Sequence, residues 1–302
     1  MKAYIAIPTF NGGDVWKQAA KNIKKYSPDS TLVQVIDSGS KDETVEVAIS
    51  NGFNVYSINP ADFNHGGTRN LAVDLHKDEY DIAIFLTQDA IPEPDFYEKI
   101  VNVFNNPLVS CAYGRQLPHY NANPISQHAR YFNYPHSSYI ASKADISRLG
   151  LKTVFTSNSF AAYRISTFIE LEGFPDSTIL SEDMFFAAKS VMAGYSVAYV
   201  SDAIVRHSHN YSTLEEFKRY FDIGVFQTDE PWIKQNFGGA GGEGKKFLLS
   251  EVIYLLKNNP AYIPISAIHN VAKILGYKLG QNYKKLSVGI IKNFSMHKRF
   301  WN

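Results

Sequence analysis

The sequence predicts an open α/β sheet of mostly parallel strands flanked by helices, followed by a C-terminal helical tail. Three observations carry this reading. Short apolar runs end in acidic residues: the run 32–36 closes at Asp37, and the run 82–86 leads through Thr87-Gln88 to Asp89. Strand and helix signals alternate through the first third of the chain. Residues 245–302 are apolar and basic. In an open α/β sheet, ligands bind outside the carboxyl ends of the strands. Acidic groups there, with no cysteine framework, suggest a hard metal ion carrying a phosphorylated ligand.

Taken in order, strands are expected near 3–7, 31–37, 53–57, 82–88 and 108–112, with helices over 13–26, 42–50, 66–76 and 94–104. Asp42 suits a helix start after Gly39-Ser40, and Pro94 suits a first helical turn. This βαβα rhythm argues for a sheet covered on both faces. The rhythm breaks over 114–150, which is rich in Pro, Asn, His and Tyr. A strand near 159–163 follows, then a helix near 164–171 and the turn Gly173-Phe174-Pro175-Asp176. Ser181-Glu182-Asp183 opens a helix to Met192, a strand covers 195–200, and a helix covers 213–226. Residues 238–244 hold five glycines and read as a flexible loop or linker between a body, 1–237, and a tail, 245–302. Within the tail, helices are expected over 246–257 and 264–292. Ile265, Ile268, Val271, Leu275 and Leu279 recur every three or four residues as one apolar face.

At 302 residues and 45% apolar, the chain can bury a substantial core. The single cysteine excludes an intramolecular disulfide. Met1-Lys2 runs straight into a strand, so no signal peptide is expected, and no run of 18 apolar residues exists. The net charge of +1 hides an asymmetry. The tail holds ten Lys or Arg and one acid, leaving 20 basic and 28 acidic residues in 1–244. A basic, apolar tail on an acidic body points to an anionic partner surface, membrane or nucleic acid.

Each local signal has a functional and a structural reading. Pro8-Thr9 ends a strand, as many strand–turn–helix junctions do. Asp37-Ser38-Gly39-Ser40 can accept hydrogen bonds from a base or ribose, or can simply cap a helix. In Asn64-His65-Gly66-Gly67-Thr68-Arg69-Asn70, the glycines permit close approach and Arg69 can pair with a phosphate or base carbonyl, or lie on the surface. Asp89 can hold a divalent cation beside substrate phosphates, or cap a helix. Glu182-Asp183 can supply a general base, or only complement a helix dipole. His207 can ligate Mn²⁺ or be structural.

The order of these motifs resembles the inverting glycosyltransferase family 2 with the GT-A fold, over roughly residues 1–230. Within it, His65-Gly66-Gly67-Thr68-Arg69-Asn70, Thr87-Gln88-Asp89-Ala90, His207-Ser208-His209-Asn210-Tyr211 and Phe221-Asp222-Ile223-Gly224-Val225 resemble the dTDP-rhamnosyltransferases of bacterial surface polysaccharide synthesis. The resemblance implies that Pro8, Thr9, Asp37, Ser38, Gly39, Arg69 and Gln88 bind the nucleotide sugar. It implies Asp183 as catalytic base, with Glu182 as second choice, and Asp89 and His207 as ligands of Mg²⁺ or Mn²⁺. The family's Asp-X-Asp motif falls on Thr87-Gln88-Asp89, with Thr87 in place of the first acid.

The expected reaction is transfer of L-rhamnose from dTDP-β-L-rhamnose to a polyprenyl-diphosphate-linked saccharide. Aromatic and polar side chains of 114–150, namely His119, Tyr120, Tyr131, Tyr134 and His136, are expected either to meet the acceptor or to pack the loop. The tail is expected to contact an anionic membrane surface, and the acceptor that the resemblance implies places the protein in the cytoplasm, peripheral on the inner membrane. A UDP-sugar donor, a non-catalytic nucleotide-sugar-binding module and a nucleic-acid binder are the competing readings. No nucleic-acid module accompanies the basic tail, so nucleic acid is not the expected partner. The oligomeric state stays open.

Overall fold

The computed structural model describes residues 1–239 and 241–301. Ala240, inside the expected 238–244 linker, and Asn302, at the end of the tail, lie outside the described residues. In chain order the first elements are β1 (Ala3–Thr9), α1 (Gly13–Tyr26), β2 (Val33–Asp37), α2 (Thr44–Ser50), β3 (Asn54–Ser57), α3 (His65–Asp74) and β4 (Ile82–Leu86). Then come β5 (Ile91–Pro92), α4 (Phe96–Asn102), β6 (Val109–Leu117), α5 (Pro124–Asn133), β7 (Tyr139–Ala141), α6 (Ile146–Leu149), β8 (Phe160–Arg164), α7 (Ile165–Glu170), α8 (Glu182–Met192) and β9 (Ser196–Arg206). Five helices follow: α9 (Thr213–Asp229), α10 (Pro231–Phe237), α11 (Gly241–Asn258), α12 (Ile263–Gln281) and α13 (Val288–Phe294).

The chain divides into two compact units. The sheet unit takes Met1–Leu117, Tyr134–Asp176 and Glu182–His207; the helical unit takes Pro118–Asn133, Ser177–Ser181 and the chain from Ser208 onward.

In the sheet unit the strand order is β3-β2-β1-β4-β8-β6-β9-β5, with β7 also on β9. The expected parallel half is present: β3, β2, β1 and β4 all pair in parallel. The other half is mixed. β8 runs antiparallel between β4 and β6, β6 and β9 are parallel, and β5 and β7 are antiparallel to β9. β1 and β4 read as continuous apolar runs because helices cover them on both sides, and all of β4 is buried. Ile5, Ile7, Trp16, Ala19, Ile23, Ile84, Phe96 and Phe160 belong to one buried cluster. Each such fully buried large side chain contributes about 1.5–3 kcal/mol.

Several boundaries differ from the sequence expectation. The strand near 108–112 extends to Leu117 and the one near 195–200 extends to Arg206, because the two pair along their length past a register shift. Residues 114–150 are not irregular; they contain the end of β6, then α5, β7 and α6. Tyr134 is 3% exposed and packs against the Tyr113, Phe155 and Tyr199 rings, so it is a core residue of the sheet unit. Tyr120 is 82% exposed.

In the helical unit, α9 and α12 approach through glycines. A Cβ on Gly276 would lie 2.2 Å from the Phe217 carbonyl oxygen, and one on Gly280 would lie 2.0 Å from that of Phe221. The helix expected over 264–292 stops at Gln281. The Asn282 side chain donates to the Lys278 carbonyl, satisfying one of the orphan acceptors at that end. The apolar face of α12 has the expected period and is solvent-exposed at Ile265, Ile268, Val271 and Leu275, which are 44–58% exposed, while Leu279 is half-buried.

Candidate active site

The ends of β1, β2 and β4 are stitched together by side chains. Parallel register sets Thr9 beside Asp37. The Asp37 carboxylate accepts hydrogen bonds from Thr9 Oγ1 (3.0 Å), Ser40 Oγ (2.5 Å) and the Gly39 and Ser40 amides (3.0 and 2.9 Å). Four donors match the lone-pair capacity of a carboxylate. Ser38 donates from both its amide and its hydroxyl to the Thr9 carbonyl. Gly39 has φ +86° and a Cβ there would meet Pro60 at 2.7 Å, so the turn requires glycine. The Gln88 amide clamps the Phe10 backbone, accepting from its N–H at 2.8 Å and donating to its carbonyl at 3.1 Å. A cleft of about 350 Å³ opens at the edge beyond β3, lined by residues including Ser57, Asp62, Gly67 and Thr68.

The glycine-rich start of α3 docks that helix. The Asn64 side chain caps it by accepting from the Gly67 amide. A Cβ on Gly66 would sit 2.0 Å from the Pro175 carbonyl oxygen. Asn70 exchanges two hydrogen bonds with the Phe174 backbone, at 2.8 and 2.9 Å. This packing buries Arg69, whose Nη1 lies 3.1 Å from Glu182 Oε1 and donates to the His65 carbonyl at 2.9 Å. Arg69 is thus directed at the acidic pair of α8.

Glu182 and Asp183 open α8, and their environments push their proton affinities apart. Glu182 is 5% exposed. Burial alone would raise its pKa, but Arg69, His65 and the hydrogen bond from Asn158 together hold it below the ordinary carboxylate value. Asp183 makes no ion pair of its own with Arg69, whose charge opposes its upward shift less than it does that of Glu182. Burial, and then the charge of Glu182, push it up to about 7, against the pull of hydrogen bonds from the Asn158 and Met184 amides. Two adjacent carboxyls, one held ionised and one poised near neutrality, are a recognised arrangement for acid–base chemistry.

Asp89 and His207 meet through strand pairing. Ile91 of β5 pairs with Arg206 of β9 in antiparallel register, which brings the turn before β5, where Asp89 lies, to the end of β9, where His207 follows. Asp89 Oδ2 lies 3.3 Å from His207 Nε2. Gln116 Nε2 donates to Ser157 Oγ at 2.9 Å, so its oxygen faces His207 Nδ1, also at 2.9 Å. An oxygen there accepts a hydrogen bond from Nδ1–H, and in the neutral ring Nε2 then turns its lone pair toward the carboxylate. Two acceptors so placed are satisfied by a cation between them. One imidazole and one carboxylate suit Mn²⁺, or Mg²⁺ with further oxygen ligands.

The structure therefore gathers Thr9, Asp37, Ser38, Gly39 and Gln88 at one set of strand ends, with Pro8 in β1 just before them. It pairs Asp89 with His207, and Arg69 with Glu182 beside Asp183. Sequence reasoning missed Gln116, Ser157 and Asn158. Asn158 donates from Nδ2 to Glu182 (2.9 Å) and from its amide to Asp183 (3.0 Å), and its own side-chain oxygen accepts from Tyr163 (2.8 Å). Neighbouring Ser157 and Asn158 thus set the histidine and both α8 carboxyls. Gln116 lies 41 residues from Ser157, and the two carboxyls lie 24 and 25 residues from Asn158, so no local motif marks them.

Residues 4–171 match the family model described as Glycosyl transferase family 2. Over 306 residues the chain is 54% identical to the O-antigen chain rhamnosyltransferase RfbN of Salmonella typhimurium, an alignment covering 100% of this chain and 96% of that protein. It is 49% identical over 300 residues to the O-antigen chain rhamnosyltransferase WbaN of Salmonella anatum, covering 99% and 95%. Among solved structures, the mannosyltransferase PcManGT from Pyrobaculum calidifontis, in complex with GDP-Man and Mn²⁺, is similar with a TM-score of 0.57. That match has 17% identity and covers 99% of this chain and 84% of the other, a likeness of fold. The expected glycosyltransferase fold, a sheet flanked by helices, is the fold found.

Proposed function

The chain belongs to glycosyl transferase family 2, and from that premise we propose that it transfers L-rhamnose from dTDP-β-L-rhamnose, with inversion, to a polyprenyl-diphosphate-linked saccharide. The observation that carries the choice of sugar is the near-full-length likeness to the two Salmonella O-antigen chain rhamnosyltransferases. The pair Glu182–Asp183 supports the chemistry. The acceptor oxygen bonds to the anomeric carbon as the bond from that carbon to the diphosphate oxygen breaks, and the hydroxyl proton passes to Asp183. Glu182, held ionised by Arg69, keeps the proton affinity of Asp183 high enough to take it. Thr9, Asp37, Ser38, Gly39 and Gln88 shape the strand ends on which the nucleotide rests, with Pro8 beside them.

Asp89 and His207 would hold the divalent cation, Mn²⁺ or Mg²⁺, which when bound neutralises charge on the departing diphosphate. Asp89→Ala is accordingly expected to abolish metal-dependent dTDP binding in calorimetric titration, while unchanged binding would remove Asp89 from this role. The same titration in the unaltered protein, with Mn²⁺ or Mg²⁺ and then with EDTA, tests the donor. Metal-dependent binding that favours dTDP over UDP supports the proposal, and a preference for UDP redirects it to UDP-sugars.

A base poised near neutrality also fixes a pH dependence. kcat/KM is expected to rise with pH through an acidic limb centred near 7, where Asp183 loses its proton. Glu182→Gln removes the neighbouring negative charge and leaves Arg69 uncompensated, and both changes favour ionised Asp183. The limb should therefore move to lower pH. A limb that stays in place would separate it from the Asp183 carboxyl.

A further inference from the structure

α12 is amphipathic in the wrong sense for a soluble helix. Its inner face carries Ser266, His269, Lys273, Gly276 and Gly280, all buried, while Ile265, Ile268, Val271, Ile274 and Leu275 are 44–58% exposed. The cause is visible in the packing. α9 lies so close that only glycine fits at 276 and 280, and the polar inner residues are matched within the unit: Lys273 pairs with Glu216 at 3.3 Å. α11 repeats the pattern. Glu251 is 1% exposed and accepts from Ser266 and Asn270 of α12, at 2.5 and 2.6 Å, while Leu248, Leu249, Val252, Ile253 and Leu256 are 37–66% exposed. Two stripes of five exposed apolar residues each mark an interaction surface.

Charge selects the partner. Glu251 is the only acid in residues 245–302, and it is buried. Of the ten basic residues there, Lys245, Lys246, Lys257, Lys278, Lys284, Lys285, Lys298 and Arg299 are exposed. Lys246 and Lys284 have acidic neighbours from outside the segment, Glu243 and Asp229. A second copy docking by the same face would bring the same positive charge against it. An anionic lipid leaflet offers both an apolar phase for the stripes and phosphate for the lysines. Among the described residues no helix is long and apolar enough to cross a membrane. We propose that the outer faces of α11 and α12 form a docking surface for an anionic phospholipid leaflet, with each apolar stripe resting at the headgroup–acyl boundary. This inference stands on the helical unit alone and does not depend on the identity of the sugar donor.

The test is co-sedimentation of the full chain with vesicles of phosphatidylglycerol and phosphatidylcholine in equal parts, against pure phosphatidylcholine. About tenfold stronger partitioning to the anionic vesicles is expected, weakening as salt is raised. Ile268→Asp with Val252→Asp alters only exposed positions. It should abolish partitioning while leaving the melting temperature and dTDP titration unchanged. Lys257→Glu with Lys278→Glu should remove the preference for anionic lipid. Equal binding by the Asp variant would overturn the proposal. So would a wild-type dimer in sedimentation velocity that the Asp variant dissociates, with no vesicle binding, because the face would then be a self-association surface.

Discussion

Asp183→Asn is expected to lower sugar transfer by about 10³-fold at neutral pH, in the middle of the 10²–10⁴ range that a positioned general base contributes. Asparagine has nearly the same shape and keeps one of the two amide hydrogen bonds, those from Asn158 and Met184, but it cannot take a proton. dTDP binding should persist, since the residues proposed to hold the nucleotide lie at other strand ends. A second, opposite effect follows from the same environment. Asp183 is raised from 3.8 to about 7, so the folded state holds this proton more tightly than the unfolded chain does. Folded stability is therefore present at low pH and is lost as pH rises from about 4 through about 7. The Asn variant escapes that loss. Its melting temperature should exceed that of the unaltered protein at pH 8, and the gap should close near pH 4. A variant that is inactive but melts lower at pH 8 would show that Asp183 braces the fold, not the reaction.

Arg69→Met is expected to be the most destabilising single change in the site. It leaves Glu182 charged, buried and without its cation, a change that costs about 3–5 kcal/mol. For a protein of this size that corresponds to a fall in melting temperature on the order of 10 °C. Adding Glu182→Gln removes the stranded charge and keeps an acceptor for Asn158 Nδ2, so the double variant should regain most of the loss. A thermal melt of the two single variants and the double one measures the coupling directly. Losses that simply add would mean that the 3.1 Å ion pair is not an energetic unit.

The sequence made some of this legible and hid the rest for identifiable reasons. β1, β2 and β4 are visible because parallel strands covered on both faces are predominantly apolar, and the polar residue after each run marks the strand's carboxyl end. β5 is invisible: two residues, one a proline, form a strand only because β9 lies beside them. Arg69 was legible as a functional cation, but its partner Glu182 is more than a hundred residues away, and local reading offered phosphate or base instead. Asn158 carries no signal at all, since its value lies in three partners that only the fold assembles. The period of α12 was read correctly, but periodicity says that a face exists and not what it faces.

β9 also dictates when the site can exist. Among the described residues β5 and β7 have no other strand to pair with, and β6 has only β8 besides. A chain emerging from the ribosome has therefore made Asp89, Gln116, Ser157 and both α8 carboxyls before the strand that fixes the Asp89 loop appears. Until residue 206 is out, β5 and β7 are unpaired edges, the kind of surface that recruits foreign strands. The last strand made is therefore both the cover for those edges and the one that brings His207 to Asp89.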